Sequence, residues 1–369
     1  MNPTVSNISN SDDVYRFTLS GVNVSLANAV RRVCLSEIDT NVIRTDIYKD
    51  NQCNITVNTG RLHNEILKQR LSCIPIHMGM NELDILPEKY ILEVDVVNDT
   101  DSTIYVTTEH FKIKNKTNGN YLTKEETRKI FPADKRTGYY IDFARLRPKI
   151  SDTIPGEQLK LTAEFSIGCA KEDSAFNVVS KCAYGNTPDL VAVNEQWEMQ
   201  AAKLRSQDVP VADIEYQKRN FYILDAQRSF IDDSFDFAVQ SVGVYDNIDI
   251  VKKANEILMA KFEAMVEEID SDTIQILNSE TTMENSYDII LVEEDYTMGK
   301  VIEFILYDRF YIGDKTLSYC GFKKFHPHDS KSTVRIAFES ASDKATAKQY
   351  LRIACLEAQA VFKRIRALF

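Results

Sequence analysis

The sequence predicts a mixed α+β chain built from two related modules, and three observations carry that reading. Two short stretches nearly repeat each other: Ser25-Leu-Ala-Asn-Ala-Val-Arg-Arg-Val-Cys-Leu35 and Thr297-Met-Gly-Lys-Val-Ile-Glu-Phe-Ile-Leu-Tyr307. Hydroxyl meets hydroxyl, Leu meets Met, Ala meets Gly, and the later apolar positions agree. Each stretch reads as a helix opening on a hydroxyl N-cap, with apolar side chains at helical spacing. Period-two alternation, the mark of half-buried strands, recurs before and after each copy. Finally, each half ends in a long amphipathic stretch, about 250–269 and 351–368, with more apolar surface than a small sheet of its own needs.

The elements follow in order. Residues 14–20 alternate as a strand. The first copied helix buries Leu26, Ala29, Val30, Val33 and Leu35 or Ile38. Residues 42–58 alternate again. A short helix over about 61–72 places Leu62, Ile66, Leu67 and Leu71 on one face and stops ahead of Pro75. Two strand-like runs, Tyr90–Val97 and Thr103–Ile113, flank the turn cluster Asn98-Asp-Thr-Asp-Ser102. A helix start at Lys124 interrupts the polar stretch 114–140. Strands are expected over 141–150 and 158–168. Residues 170–220 read as loop-rich, with a short helix near Asn194–Ser206 around Trp197. A strand over Phe235–Val244 leads into the helix marked by Ile250, Ala254, Ile257, Leu258, Phe262, Met265 and Ile269. A polar linker or turn at 278–287 precedes a strand (288–293), the second copied helix (297–310), strands near 317–324 and 332–339, and a final helix. That helix carries Leu351, Ala354, Cys355, Ala358, Val361, Phe362, Ile365 and Leu368.

Composition narrows the function classes. The 369 residues carry a net charge of −11, with 44% hydrophobic residues. That balance suits an ordinary globular chain of one to three domains and argues against nucleic-acid binding over a broad basic face. The seven cysteines include no CxxC pair, so a zinc knuckle is not expected. Cys34, Cys73 and Cys355 sit among apolar residues and read as small core side chains, in keeping with a reducing compartment. The first residues lack the basic and apolar regions of a signal peptide, and no run of about 18 apolar residues suggests a membrane helix.

Catalytic patterns are sparse: GxxxxGK[ST], HExxH, GxSxG and GxGxxG are all absent. Asp232, Asp233 and Asp236 form an acidic cluster that could hold magnesium, but reads better as a solvated turn entering a strand. His326 and His328 flank Pro327 without a third ligand nearby and read as an ordinary loop. Arg31 and Arg32 sit beside an apolar stripe, where they either cover it with their stems or dock a partner through the guanidinium fork. Glu65 and Arg70 frame the short second helix, as an ion pair or as partner contacts. Lys363, Arg364 and Arg366 oppose the negative end of the last helix.

These residues carry a resemblance. Asn23-Val-Ser-Leu-Ala-Asn-Ala-Val-Arg-Arg-Val-Cys-Leu-Ser-Glu37 resembles the signature of the alpha-like RNA polymerase subunits: bacterial alpha, its archaeal D-type counterpart and the third eukaryotic subunit. Asn58-Thr-Gly-Arg-Leu-His-Asn-Glu-Ile-Leu-Lys-Gln-Arg-Leu-Ser-Cys-Ile-Pro-Ile76 resembles the second family block. The second module is similar to the small alpha-like partner, of the archaeal L type or the eleventh eukaryotic subunit, through Glu294-Asp-Tyr-Thr-Met-Gly-Lys-Val-Ile302, Gly321-Phe-Lys-Lys-Phe-His-Pro327 and Val334-Arg-Ile336.

The resemblance implies two pseudo-symmetric alpha-like dimerisation domains in one chain, with an inserted mostly-β domain. The larger dimerisation domain would comprise 1–42 and 158–275, the inserted domain 43–157, the linker 276–287, and the small dimerisation domain 288–369. It also implies a non-catalytic assembly subunit of a multisubunit DNA-directed RNA polymerase, without cofactor, metal or sequence-specific DNA contact of its own. Its partners would be the largest and second-largest subunits and small subunits of the tenth eukaryotic or archaeal N type. Arg31, Arg32, Glu65 and Arg70 would face the second-largest subunit. Leu26, Val30, Val33, Ile302, Ile305, Leu351, Ala358, Phe362 and Ile365 would pack the intramolecular dimer. The family's cysteine cluster in the inserted domain should be missing, since no cysteine lies between Cys73 and Cys169. Such fusions look like those of large nucleocytoplasmic DNA viruses, which would place the chain in the virion and host cytoplasm. The alternatives are a scaffold on the same fold outside transcription, or a metal-dependent enzyme using the aspartate cluster.

Overall fold

The computed structural model describes residues 1–151, 153–280 and 283–369. Along the chain run β1 (Thr4–Ser11), β2 (Val14–Ser20), α1 (Val24–Ser36), β3 (Thr40–Val42), β4 (Cys53–Asn58), α2 (Asn64–Ser72), α3 (Ile85–Lys89), β5 (Tyr90–Val97), β6 (Ile104–Thr107), β7 (Lys112–Asn115), α4 (Lys124–Ile130) and β8 (Asp142–Leu146). Then come β9 (Gln158–Glu164), β10 (Ser166–Gly168), β11 (Val179–Pro188), α5 (Leu190–Ser206), α6 (Val211–Ile223), β12 (Phe230–Ser241), α7 (Asn247–Asp270), β13 (Gln275–Asn278), β14 (Ser286–Val292), α8 (Tyr296–Leu306), β15 (Leu317–Lys323), β16 (Lys331–Phe338) and α9 (Lys344–Arg366). This is the α+β composition the alternation predicts. The chain divides into two compact units, one of residues 1–34, 181–240 and 251–369, the other of 35–180 and 241–250.

The first unit holds two antiparallel sheets, in the orders β1-β2-β12-β11 and β13-β14-β16-β15. Tyr15, Phe17 and Leu19 alternate along β2 onto the core face and are buried. Phe17 pairs with Phe237 across β2–β12, rings stacked at 5.0 Å, and Phe369 meets Phe17 edge-on at 4.8 Å. In the second sheet, Ile289 opposite Val334 and Leu291 opposite Ser332 build the inner face from the β14–β16 register. Gly299 of α8 is a packing requirement: a Cβ there would lie 2.0 Å from the Phe322 ring of β15. The helix continues past Leu306 into a π-helical turn, Tyr307–Gly313.

Residues 170–220 depart from the loop-rich expectation. They contain β11 and two consecutive helices, α5 and α6, with a small core of Val193, Trp197, Ala201, Ile214, Phe221 and Ala226. The helix around Trp197 is present as expected. Helix α6 is an addition, and its apolar residues are mostly solvent-facing: Val211, Tyr216 and Ile223 are all exposed. A stripe that thin gives little helical periodicity. Asp189 caps α5 by accepting from the Val191 and Ala192 amides.

The second unit centres on the sheet β4-β9-β5-β7, with the pair β6-β8 and helix α2 beside it. Register sets Leu92 opposite Ala163, Val94 opposite Leu161 and Val96 opposite Leu159, so one face is continuously apolar. The expected strand over 158–168 breaks at Phe165, a buried core residue that separates β9 from β10. The Asn98 turn is held from inside: the Asn98 side chain is fully buried, donates to the Ser102 and Leu146 carbonyls, and accepts from the Thr100 amide. Thr123 and Glu126 form a reciprocal capping box at the start of α4. Cys73 is exposed rather than buried, because it is the C-cap where α2 ends before Pro75; Cys34 and Cys355 are fully buried.

Of the expected linker at 278–287, Asn278 is the last residue of edge strand β13, which pairs with β14, and Ser286 opens β14. Residues 281 and 282 of that stretch lie outside the described residues.

Candidate assembly interface

Helix α1 carries the first copy of the repeated motif, and its cap lies two residues earlier than the hydroxyl. The Asn23 side chain accepts from the Ser25 amide at 2.9 Å. The second copy does the same thing: Asp295 caps α8, accepting from the Thr297 amide at 2.9 Å. Ser25 and Thr297 are therefore first-turn residues, and the true caps are the Asn and Asp that precede them. An Asx side chain reaches the amide two residues on more readily than a hydroxyl does, so the repeat extends further back than the hydroxyls suggest.

Leu26, Ala29, Val30 and Val33 of α1 are buried to within 1%, as are Val301, Ile302 and Ile305 of α8. Arg31 and Arg32 stand at the edge of that stripe and have different surroundings. Arg31 is half-buried and its Nε donates to Asn28 Oδ1 within the helix at 2.9 Å. Arg32 reaches the start of α8: Nε donates to Thr297 Oγ1 at 2.8 Å and a terminal nitrogen to Asp295 Oδ2 at 2.5 Å. One Asp295 oxygen thus caps α8 while the other takes a guanidinium. An anion at a helix N-terminus is favoured by the macrodipole, and Arg32 compensates its charge. The position matching Arg32 in α8 is Phe304, which is half-buried, so the contact has no reciprocal.

In the same unit α7 and α9 run antiparallel. Phe262 and Phe362 stack at 5.8 Å in the seam. Leu351, Ala358, Phe362 and Ile365 are fully buried, as are Leu258, Phe262 and Ile269 on the α7 stripe. Leu368, expected on the α9 stripe, is 40% exposed, because the helix ends at Arg366. Ion pairs line the seam. Arg352 grips both Asp270 oxygens at 2.7 and 3.1 Å, Arg366 Nε donates to Glu256 at 2.8 Å, and Lys348 meets Asp272 at 2.8 Å, while Lys261 of α7 reaches instead to Glu294 ahead of α8, at 3.1 Å. Hydrogen bonds from Arg352 and Lys348 hold the Asp270 and Asp272 carboxyls below the usual carboxylate range. Arg364 donates to the Met1 carbonyl. The sequence marked Arg364 and Arg366 only as answering the negative end of α9, and the structure gives them the Met1 carbonyl and Glu256 as partners; the other seam charges went unnoticed, although they flank the apolar stripes where coiled-coil partners carry theirs.

Glu65 and Arg70 belong to α2, in the other unit. The Glu65 side chain is 92% exposed and lies 3.9 Å from His63 Nδ1, whereas Arg70 donates to the Asp142 carbonyl at 2.8 Å. Five residues apart on a helix they do not face each other.

The metal-like clusters resolve into structural roles. Asp232, Asp233 and Asp236 lie within β12, not in a turn before it. Alternation along a strand sends Asp233 to the face opposite Asp232 and Asp236. Asp236 Oδ1 is occupied by the hydroxyls of Thr18 at 2.7 Å and Thr187 at 3.1 Å. His326 Nδ1 accepts from the His328 amide and Asp329 accepts from the His326 amide, a self-capped loop. Cys34 and Cys182 are both buried, and their thiol–thiol hydrogen bond, with burial, pushes the Cys34 thiol well up. Among the described residues no three His, Cys, Asp or Glu side chains converge as a metal site would need.

Comparison with known proteins agrees with this architecture. The RNA polymerase Rpb3/Rpb11 dimerisation domain family matches residues 16–262. The chain is 25% identical over 307 residues to subunit 3B of DNA-directed RNA polymerases IV and V of Arabidopsis thaliana, covering 71% of this chain and 90% of that protein. It is 23% identical over 288 residues to DNA-directed RNA polymerase subunit Rpo3 of Archaeoglobus fulgidus, covering 73% of this chain and all of that protein. It is also 23% identical over 296 residues to RPAC1 of the DNA-directed RNA polymerases I and III of Bos taurus, covering 69% and 81%. With the matched span running from β2 through α1 and the intervening elements into α7, the chain belongs to the Rpb3/Rpb11 dimerisation-domain family of RNA polymerase subunits.

Proposed function

We propose that this chain is a non-catalytic assembly subunit of a multisubunit DNA-directed RNA polymerase, and that it supplies both halves of the alpha-like pair itself. Family membership supports the first statement. One observation carries the second: the antiparallel α7–α9 seam, with Phe262 stacked on Phe362, joins the end of one module to the end of the other inside one compact unit. Such a seam is what two dimerisation domains make between chains; here a tether raises the effective concentration of the pair. The buried side chains Leu26, Val30, Val33, Ile302, Ile305, Leu351, Ala358, Phe362 and Ile365 then serve as the packing of this internal dimer.

In this reading the platform docks the largest and second-largest polymerase subunits, together with a small subunit of the tenth eukaryotic or archaeal N type. Arg31, Glu65 and Arg70 meet the second-largest subunit. Arg32 is divided between that surface and the α8 cap it already holds. The fusion arrangement carries the further inference of a large nucleocytoplasmic DNA virus as source, with the chain in the virion and host cytoplasm. No helix among the described residues is long and apolar enough to cross a membrane.

Affinity purification of the tagged full chain, followed by mass spectrometry, tests the assignment. Recovery of two very large polymerase subunits is the expected result. Their absence, with other proteins recovered in defined ratio, would favour a scaffold outside transcription, since fold alone does not fix function.

A further inference from the structure

The ion pairs along the α7–α9 seam have an arrangement that packing alone does not require. Moving the same number of residues forward along α7 and back along α9 carries the Glu256–Arg366 pair onto the Asp270–Arg352 pair. The two bridges are therefore the two ends of one antiparallel seam, related by a local two-fold. That operation sets Leu258 in the place of Ala354, Phe262 in that of Ala358, Met265 in that of Val361 and Ile269 in that of Ile365, all of them buried. The positions are buried on both helices but not equal in size or polarity: Leu258 and Phe262 are larger than Ala354 and Ala358, and the buried Asn255 stands where α9 has Leu351, so packing also differs between the mixed seam and either self-paired one. The charges are reversed. Arg352 stands on α9 where Glu256 stands on α7, and Arg366 where Asp270 stands.

We propose that these four charges select the mixed pair, α7 with α9, against self-pairing of either module, so that chains crowded together during synthesis close on themselves and do not cross-pair. The inference rests on the internal-dimer reading above. In a self-paired α7 seam Glu256 would face Asp270 at both ends; in a self-paired α9 seam Arg352 would face Arg366 at both ends. Unlike charges attract only in the mixed seam, and like charges repel in both wrong ones, the device by which coiled coils choose partners. Two features moderate the effect. All four groups are about half exposed, so each contact is screened. Lys253 also reaches Glu256 within α7 at 3.7 Å and accompanies it into either pairing. The Lys348–Asp272 bridge lies past the end of α7 with its carboxylate 84% exposed, and adds less. Summed over two repelling ends in each wrong pair, discrimination of roughly tenfold or more is expected.

The full chain with a protease site inserted after Thr273, ahead of β13, is the test. Cleaved chains are incubated at micromolar concentration and examined by native mass spectrometry, which separates mixed from self-paired fragments by mass. The unsubstituted chain should give the mixed pair alone. Glu256→Arg with Arg366→Glu keeps both bridges in the mixed seam but makes each helix self-complementary, so both self-pairs should appear as substantial fractions. A variant that stays wholly mixed, or an unsubstituted chain that self-pairs, would overturn the charge rule while leaving the internal dimer standing. Fragments that fall apart as single species in the unsubstituted chain would instead overturn the internal-dimer reading. The intact chain gives a second measurement: Glu256→Arg alone should lower the melting temperature, and adding Arg366→Glu should restore it. Failure of that restoration contradicts the pairing on which the rule depends.

Discussion

Arg31 and Arg32 are neighbours on α1 with different environments. Arg32 spends its guanidinium on Asp295 and Thr297, so Arg32→Ala should destabilise the unit that contains α1 and α8 by about 1 kcal/mol, the usual size of a lost cap or charge-assisted hydrogen bond at a partly exposed site. Urea unfolding would measure it. Arg31 makes a local bond to Asn28, so Arg31→Glu should leave unfolding within about 0.5 kcal/mol. If it docks the second-largest subunit, the same variant should lose co-purification of that subunit; undiminished recovery would remove Arg31 from the interface. His77 gives a pH signature in the other unit. Burial, with the Lys135 charge, pushes its imidazole below the ordinary range. The unfolded chain then takes up the proton first as pH falls through about 6.5, so stability declines below that pH and levels off once the folded imidazole also titrates. His77→Gln should flatten that part of the stability–pH curve.

The seam between α7 and α9 behaves as an element rather than as single contacts. Truncating Phe362, fully buried against Phe262, should cost about 3–5 kcal/mol through lost contact and the cavity left behind. The Asp270 and Asp272 carboxyls lie below their usual range in the folded chain, so what they contribute is present above the ordinary aspartate range near ~3.9 and is lost as pH falls through their lowered folded values. Salt should weaken the same pairs, because they are exposed. These long helices were legible in the sequence, since an apolar stripe over many turns leaves a strong 3.6-residue period. So were β2 and β5, where alternation is uninterrupted. Helix α6 was not, because its few core residues, Ile214 and Phe221, are surrounded by exposed apolar ones that blur the period. The caps at Asn23 and Asp295 were displaced by two residues because the hydroxyls that follow are also common capping types, and only geometry distinguishes them.

At the scale of the whole molecule, the near-repeat of α1 and α8 has become an asymmetric contact. Both copies use an Asx cap and bury the same apolar face, yet only α1 carries an arginine that reaches the other copy's cap, and the matching residue is Phe304. The candidate site was legible in part: the sequence singled out Arg31 and Arg32, but could not tell which of the two reaches the α8 cap, because the partner carboxylate, Asp295, lies far away in the chain. The central claim is that one polypeptide provides the complete alpha-like platform. Native mass spectrometry of the purified polymerase tests it most directly. The account predicts one copy of this chain per complex and no separate small dimerisation subunit beside it. Two copies of the chain, or a second dimerisation subunit bound to it, would contradict the account.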